Sequence, residues 1–85
     1  MKYQVYLIIS LKNNKIISYV GYTNNLKKRL IEHNSSKGAK FTRGRFWNLA
    51  YSKTYSKKSI AMKEEYKLKK NFKLRTEIKK KYLIK

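Results

Sequence analysis

The sequence lacks cysteine, proline and aspartate, and it contains a single histidine. Without cysteine, disulfides and thiolate metal sites are excluded, and the composition is compatible with the reducing cytoplasm, where we expect the protein to act. One histidine excludes a site built from several histidines. No apolar run approaches the ~18 residues of a membrane span. The short apolar segment 5–11 also lacks the features of a signal peptide.

Acidic residues are scarce, because only four glutamates stand against 23 lysines and arginines, which gives a net charge of +19. So basic a chain predicts a polyanionic partner. Nucleic acid, most simply DNA, is the first choice, and an anionic membrane surface is a weaker alternative. A general lysine bias would raise the charge as well, but it does not explain the scarcity of acids. Composition leaves any protein partner unknown.

The length of 85 residues predicts one small domain covering residues 1–85. Alternating apolar residues predict strands at 3–11, 16–22 and 47–55, with a hairpin turn between the first two. Helical spacing predicts helices at 26–34, 57–71 and 74–84. The first helix has N-cap candidates at 23–25, and the second has Ser56 or Ser59. The predicted fold class is α+β: a three-stranded antiparallel sheet flanked by helices.

A strand, turn and helix over residues 19–34 place several functional residue types close together. The strand ends with Tyr19 and Gly21, and glycine there permits close approach of another group. On the following helix, Leu30 and His33 share one face and Arg29 lies at its edge. This segment is therefore the first candidate for a functional site.

Seven positions in this segment resemble the second motif of the GIY-YIG nuclease family: Tyr19, Val20, Gly21, Thr23, Leu26, Arg29 and His33. Upstream, residues 4–6 (Gln-Val-Tyr) stand where the family has Gly-Ile-Tyr and share its tyrosine. Downstream, segments 38–43 and 61–65 are similar to those of small stand-alone, excinuclease-like members. The resemblance covers roughly residues 3–71.

The resemblance implies catalytic roles for five residues. Tyr6 is implicated in activating water, Tyr19 lines the site, and Arg29 clamps the scissile phosphate with its planar fork. His33 hydrogen-bonds phosphate or positions water, and Glu65 holds Mg²⁺ or Mn²⁺. From the residues alone, the default interpretation is that both tyrosines and His33 are core residues and that Arg29 is a solvated phosphate contact.

Glu65 also has two readings from the pattern of its helix. It lies in a predicted apolar stripe with Ala61, Leu68 and Phe72, where an unpaired charge would cost several kcal/mol. A bound cation would offset that cost. The alternative is a surface ion pair with Lys69, four residues on.

Nucleic-acid contacts are predicted outside the catalytic set. Lys40, Phe41, Thr42 and Arg43 interleave charge with an aromatic ring, which suits backbone contact and base stacking, and Lys69 is expected to bind phosphate. The surrounding loop, residues 35–46, is of a length typical of functional or mobile segments. Glu32 is expected to pair with Lys28 at the surface.

The sequence therefore predicts a Mg²⁺-dependent endonuclease that hydrolyses DNA in repair or processing. The alternative is a non-catalytic nucleic-acid-binding module that uses only its basic surface. Metal-dependent cleavage separates the two.

Overall fold

The computed structural model describes residues 1–83, and these residues form an antiparallel sheet with helices on both faces. In chain order the elements are β1 (Tyr3–Lys12), β2 (Lys15–Thr23), α1 (Leu26–Asn34), a 3₁₀ turn (Lys40–Thr42), β3 (Asn48–Tyr55), α2 (Lys58–Lys70) and α3 (Phe72–Leu83). The predicted α+β class with a three-stranded antiparallel sheet is confirmed. Ile84, at the end of the third predicted helix, lies outside the described residues.

The first two strands form the predicted hairpin. Its turn holds Asn13 and Asn14 at φ 54° and 63°. A left-handed pair of this kind matches the twist of two antiparallel strands, and asparagine tolerates it better than most residues. β3 pairs antiparallel with the other edge of β1, so the strand order is β2-β1-β3. The register between β1 and β3 shifts between Leu7 and Ile8.

The central strand β1 is buried on both faces, because helices cover each side of the sheet. Val5, Leu7 and Ile9 pack in one core with side chains of α2 and α3. Tyr6 and Ile8 pack in a second core together with Trp47 and the apolar face of α1. Trp47 was predicted to begin the third strand. It instead precedes β3 and is buried in this second core. This second core supports the candidate site.

The structure corrects the predicted boundaries of the last two helices. α2 begins after Lys57 without a side-chain cap, so neither predicted serine caps it. A single residue, Asn71, separates α2 from α3, and its Oδ1 accepts from the Leu74 amide at 3.0 Å. Phe72 was placed on the apolar stripe of the second helix, but it begins α3 and is 70% exposed. The turn at Asn71 rotates Phe72 away from the core.

Among residues 1–83, no helix is both long enough and apolar enough to cross a membrane.

Candidate active site

Four of the five predicted catalytic residues line one cleft of about 450 Å³: Tyr6, Tyr19, Arg29 and Glu65. They come from four elements, since Tyr6 lies on β1, Tyr19 on β2, Arg29 on α1 and Glu65 on α2. The cleft opens where β1 begins and β2 ends, because Tyr3, Thr23 and Asn24 complete its rim together with other residues. Lys58, at the start of α2, adds a positive charge that the sequence did not single out.

Gly21 makes room for the Tyr6 side chain. The two residues are direct partners across the antiparallel strands β1 and β2. A Cβ atom at Gly21 would lie 2.5 Å from the Tyr6 Oη and 2.7 Å from its Cζ. The predicted close approach at this glycine is therefore the approach of the phenol that lines the cleft.

A buried hydrogen-bond chain runs from Tyr6 away from the cleft. The Tyr6 Oη lies 2.8 Å from His33 Nε2, and His33 Nδ1 lies 2.9 Å from Thr42 Oγ1. The Thr42 hydroxyl donates its proton to the Ala39 carbonyl at 2.8 Å. It must therefore accept from His33, so Nδ1 carries the histidine proton and Nε2 is free to accept. By this assignment the Tyr6 hydroxyl donates to His33.

The pKa shifts of this pair agree with that direction. Burial raises the pKa of Tyr6 to about 12, although the neighbouring Arg29 guanidinium opposes the rise. Burial also lowers the pKa of His33, and the charge of Arg29 lowers it further. At neutral pH the pair is therefore a neutral phenol donating to a neutral imidazole. The charge of Arg29 therefore does not lower the pKa of Tyr6 enough for the phenol to act as an ionised base.

Arg29 is held beside the cleft by a glutamate of its own helix. Its Nη1 lies 3.2 Å from the Glu32 Oε1, one turn further along α1. Glu32 therefore pairs with Arg29, and the predicted pair with Lys28 is wrong. Burial acts to lower the pKa of Arg29, but hydrogen bonding to Tyr6 and Glu32 outweighs it, and the pKa lies above its ordinary value. The guanidinium stays charged.

Glu65 lies at the cleft wall and also pairs with Lys69. Its Oε1 is 3.2 Å from the Lys69 Nζ, and its side chain is 17% exposed while that of Lys69 is 50% exposed. The predicted ion pair with Lys69 is thus present, and the other predicted role of Glu65, binding a divalent cation, stays a prediction. Ala61 and Leu68 are buried as expected on the same helix.

The donor set of the cleft fits a sparsely ligated divalent cation. Glu65 is the carboxylate among the residues that line it, and the phenols of Tyr6 and Tyr19 are nearby oxygen donors. Within residues 1–83 no cluster of three or more His, Cys, Asp or Glu could hold a metal by protein ligands alone. Mg²⁺ accepts such a site, since it keeps several waters and takes substrate phosphate oxygens as further ligands.

Two predicted site residues have fully buried side chains. His33 is 0% exposed and bonded through both ring nitrogens, so it does not reach a phosphate in the cleft directly, and its part in catalysis stays a prediction. Thr42 is also 0% exposed, and its hydroxyl orients His33 instead of meeting a nucleic acid. Of the other loop residues, Lys40 and Arg43 are exposed outside the cleft lining, and Phe41 is 59% exposed.

Several residues that organise the site were missed by sequence reasoning. Trp47 donates from Nε1 to the Thr42 carbonyl at 2.8 Å. The Trp47 amide and carbonyl also bond the Asn34 side chain at 2.6 and 3.0 Å. These bonds fasten the loop to α1 and hold Thr42 against His33. The lone tryptophan next to the basic loop was the one sequence signal available, and its partners are distant in sequence.

Comparison with known proteins gives the same family along nearly the whole chain. Residues 2–82 match the family model described as the GIY-YIG catalytic domain. A UPF0213 protein of Staphylococcus haemolyticus is 44% identical over 69 residues, which is 80% of each chain. A UPF0213 protein of Oceanobacillus iheyensis is 54% identical over 52 residues, which is 60% of each chain.

A solved structure is also similar to this chain. It is the solution NMR structure of a UPF0213 protein from Bacillus halodurans, with 36% identity and a TM-score of 0.49 over 91% of this chain and 80% of that chain. The matched segment spans only 53–60% of the length of the UPF0213 proteins from Bacillus pumilus and Oceanobacillus iheyensis. The match of the family model nevertheless covers the strands, the helices except the last residue of α3, and every residue of the cleft. The chain belongs to the GIY-YIG catalytic domain family, a family of nucleases.

Proposed function

We propose that this protein is a divalent-metal-dependent endonuclease that hydrolyses phosphodiester bonds of DNA in repair or processing. The observation that carries the proposal is the convergence of Tyr6, Arg29 and Glu65 on one cleft, with His33 bonded behind Tyr6. A phosphodiester hydrolase needs a path for the proton of water, a fixed positive charge for the phosphate, and a ligand for a cation. Each need has a residue in this cleft.

The proton path runs through Tyr6 without a free phenolate. Water at the cleft gives a proton to the Tyr6 Oη as the phenol passes its own proton to His33 Nε2, 2.8 Å away. The water oxygen then forms its bond to phosphorus as the bond to the leaving oxygen breaks, and the leaving oxygen takes a proton from solvent water in the open cleft. Because burial raises the pKa of Tyr6 to about 12, this coupled transfer avoids a phenolate that the site disfavours. His33 is then protonated, with its Nδ1 proton still held by Thr42, and because burial and Arg29 disfavour this charged form it returns the proton to solvent through Tyr6.

The positive charge on the phosphate side comes from Arg29. Its guanidinium stays charged at every working pH and presents a planar fork to the phosphate oxygens. The ion pair with the Glu32 carboxylate fixes the orientation of this guanidinium. We propose that Glu65 holds Mg²⁺ or Mn²⁺, which would neutralise charge that develops on the phosphate. Lys58 and Tyr19 complete the lining around the substrate.

Cleavage of labelled duplex, flap and single-stranded DNA, with Mg²⁺ or with chelator, tests the proposal. We expect metal-dependent cleavage that falls at least about a hundredfold in Glu65→Gln and in Arg29→Ala. The double variant should be little worse than either single one, because groups that act together are not additive.

The matched control is Glu64→Gln, on the same helix. Glu64 pairs with Lys67 at 3.3 Å and is not among the residues of the cleft, so its loss should leave cleavage unchanged. Binding of DNA without metal-dependent cleavage would instead support the non-catalytic binding module. If Glu64→Gln and Glu65→Gln lost cleavage activity equally, the proposal that Glu65 holds the metal would be wrong.

A further inference from the structure

A second hollow, of about 270 Å³, adjoins the catalytic cleft. It is lined by Ser18, Tyr19, Val20, Phe41, Lys69 and Arg75. Tyr19 lines both spaces and therefore forms the wall between them. Lys69 also connects them, since its ammonium pairs with Glu65 at the cleft wall. A ligand in the hollow would thus lie next to a ligand in the cleft.

Phe41 supplies a flat apolar surface in this hollow. Its ring stacks on Tyr19 with centroids 6.1 Å apart and an interplanar angle of 22°. The Trp47 ring lies 6.4 Å from it on the buried side. Although these neighbours fix the ring, 59% of Phe41 is exposed. A held aromatic ring with so much open surface is a platform on which a planar base can stack.

Arg75 supplies an unsatisfied donor at the same place. Its Nε is buried and has no hydrogen-bond partner among the described residues. Its guanidinium lies 5.7 Å from the Phe72 ring, which positions the group without accepting a hydrogen bond in its plane. Arg75 as a whole is half-buried and lines the hollow, so an acceptor bound there can reach its charged guanidinium. Phosphate oxygens and base carbonyls are acceptors of this kind.

We propose that this hollow binds one unpaired nucleobase of single-stranded DNA, stacked on Phe41, with a neighbouring phosphate on Arg75 and Lys69. The proposal rests on the proposed function, because the base belongs to the strand whose phosphodiester lies in the cleft. A base inside a duplex already has both faces stacked, whereas an unpaired base offers a free face to Phe41. The hollow therefore favours a single strand over a continuous duplex.

Binding in chelator tests the subsite separately from cleavage. The probes are a labelled oligothymidylate of about twelve nucleotides and a duplex of the same length. We expect Phe41→Ala to weaken single-strand binding about tenfold and duplex binding by less than about twofold, whereas Phe41→Trp keeps the single-strand affinity. Phe41→Leu keeps apolar bulk but loses the flat ring, so it should resemble the alanine variant.

Phe46→Ala is the matched control, because Phe46 follows in the same loop and is 68% exposed but does not line the hollow. It should bind both probes as the native protein does. Arg75→Gln should weaken single-strand binding and reduce the slope of log K against log salt by about 0.7, the value for one phosphate contact of a single strand.

Three outcomes overturn the subsite: unchanged single-strand binding in Phe41→Ala, an equal loss for duplex and single strand, or the same loss in Phe46→Ala. Thermal melts of each variant show whether a loss of DNA binding comes from unfolding. If Phe41→Ala unfolds, Phe41→Trp tests the subsite instead, since it should retain the native affinity for the single strand. If the native protein cleaves while Phe41 has no effect, the subsite alone fails. If the Phe41 pattern holds without any cleavage, the nuclease proposal alone fails.

Discussion

At the scale of single residues, Lys69 and an incoming metal ion compete for the same carboxylate. The Lys69 ammonium lies 3.2 Å from the Glu65 Oε1, on a pair that is only partly exposed. We expect Lys69→Met to raise the affinity of the DNA-free protein for Mn²⁺ about two- to fivefold, the range that corresponds to a partly exposed ion pair. Titration followed by the Mn²⁺ electron paramagnetic resonance signal measures it without cleavage.

Lys67→Met is the matched control for that titration, since Lys67 pairs with Glu64 on the same helix. It removes the same charge but leaves Glu65 untouched. Equal Mn²⁺ affinities for the two variants would mean that the ion pair does not compete with metal, and that general charge governs the affinity instead.

His33 makes the stability of the fold depend on pH. Its pKa is lowered by burial from 6.5 in the folded protein, so the unfolded chain binds the proton first as the pH falls. Stability is therefore full above 6.5 and is lost as the pH falls towards the lowered value. The melting temperature should therefore be lower at about pH 5.5 than at about pH 7.5.

His33→Gln should remove most of that difference, because glutamine occupies the site without titrating. The chain has one histidine and four acidic residues, so few other groups change charge between those pH values. The comparison uses the pH difference within each variant and tolerates a lower stability of the glutamine form. A difference as large in His33→Gln as in the native protein would locate the proton uptake elsewhere.

At the scale of elements, the hairpin was predictable and the loop contacts were not. Alternating apolar residues and the Asn13-Asn14 turn are local signals, and they specify β1 and β2 without knowledge of the rest. The bond between Thr42 and His33 depends on how residues 35–46 fold back under Trp47, and no local periodicity encodes that path. The sequence therefore predicted that Thr42 contacts nucleic acid, whereas in the structure Thr42 is buried and hydrogen-bonds His33.

The break between the last two helices was predicted, but it was misplaced by one or two residues for a related reason. Helical spacing continues through residues 68–75, so the pattern does not indicate where one axis ends and the next begins. Asn71 makes the break by capping α3 with its side chain, and this carries Phe72 outwards. The position of Glu65 was less sensitive, because Ala61 and Leu68 fix its helix face within α2.

A substitution at Gly21 of β2 tests whether the position of Tyr6, its partner on β1, matters for cleavage. A methyl group there would lie 2.5 Å from the Tyr6 Oη, so Gly21→Ala must displace the phenol. We expect at least about a tenfold loss of cleavage, because a small misplacement of a catalytic group is costly. The far-ultraviolet circular dichroism should stay that of the native sheet.

Gly44→Ala is the control: it should lower stability without lowering cleavage, whereas Gly21→Ala should lower cleavage while the sheet is retained. Gly44 has φ 75° and no atom within 4 Å of an added Cβ, so alanine is strained there but touches nothing. It should cost about 1–2 kcal/mol of stability and leave cleavage unchanged. Loss of cleavage in proportion to stability in both variants would show that the Gly21 effect is only a loss of folding.

At the scale of the whole molecule, we expect DNA binding to depend on where the charges of the +19 chain lie, and not on the net charge alone. Composition predicted a nucleic-acid partner but could not say which lysines meet it, because that depends on how the chain folds. In the structure, Lys58 and Lys69 lie at the cleft and the adjoining hollow. Lys12 and Lys15 are paired at the hairpin turn, the other end of β1 from the cleft.

These two pairs permit a test in which the net charge is matched. Replacing both lysines of either pair by glutamine removes the same charge, so a purely global attraction would fall equally. If DNA crosses the cleft, Lys58→Gln with Lys69→Gln should reduce the slope of log K against log salt for a duplex by about 1.8, and the hairpin pair should barely change it. Binding by fluorescence anisotropy in chelator over a range of salt measures both slopes, and equal reductions would mean that the duplex has no preferred path over the cleft.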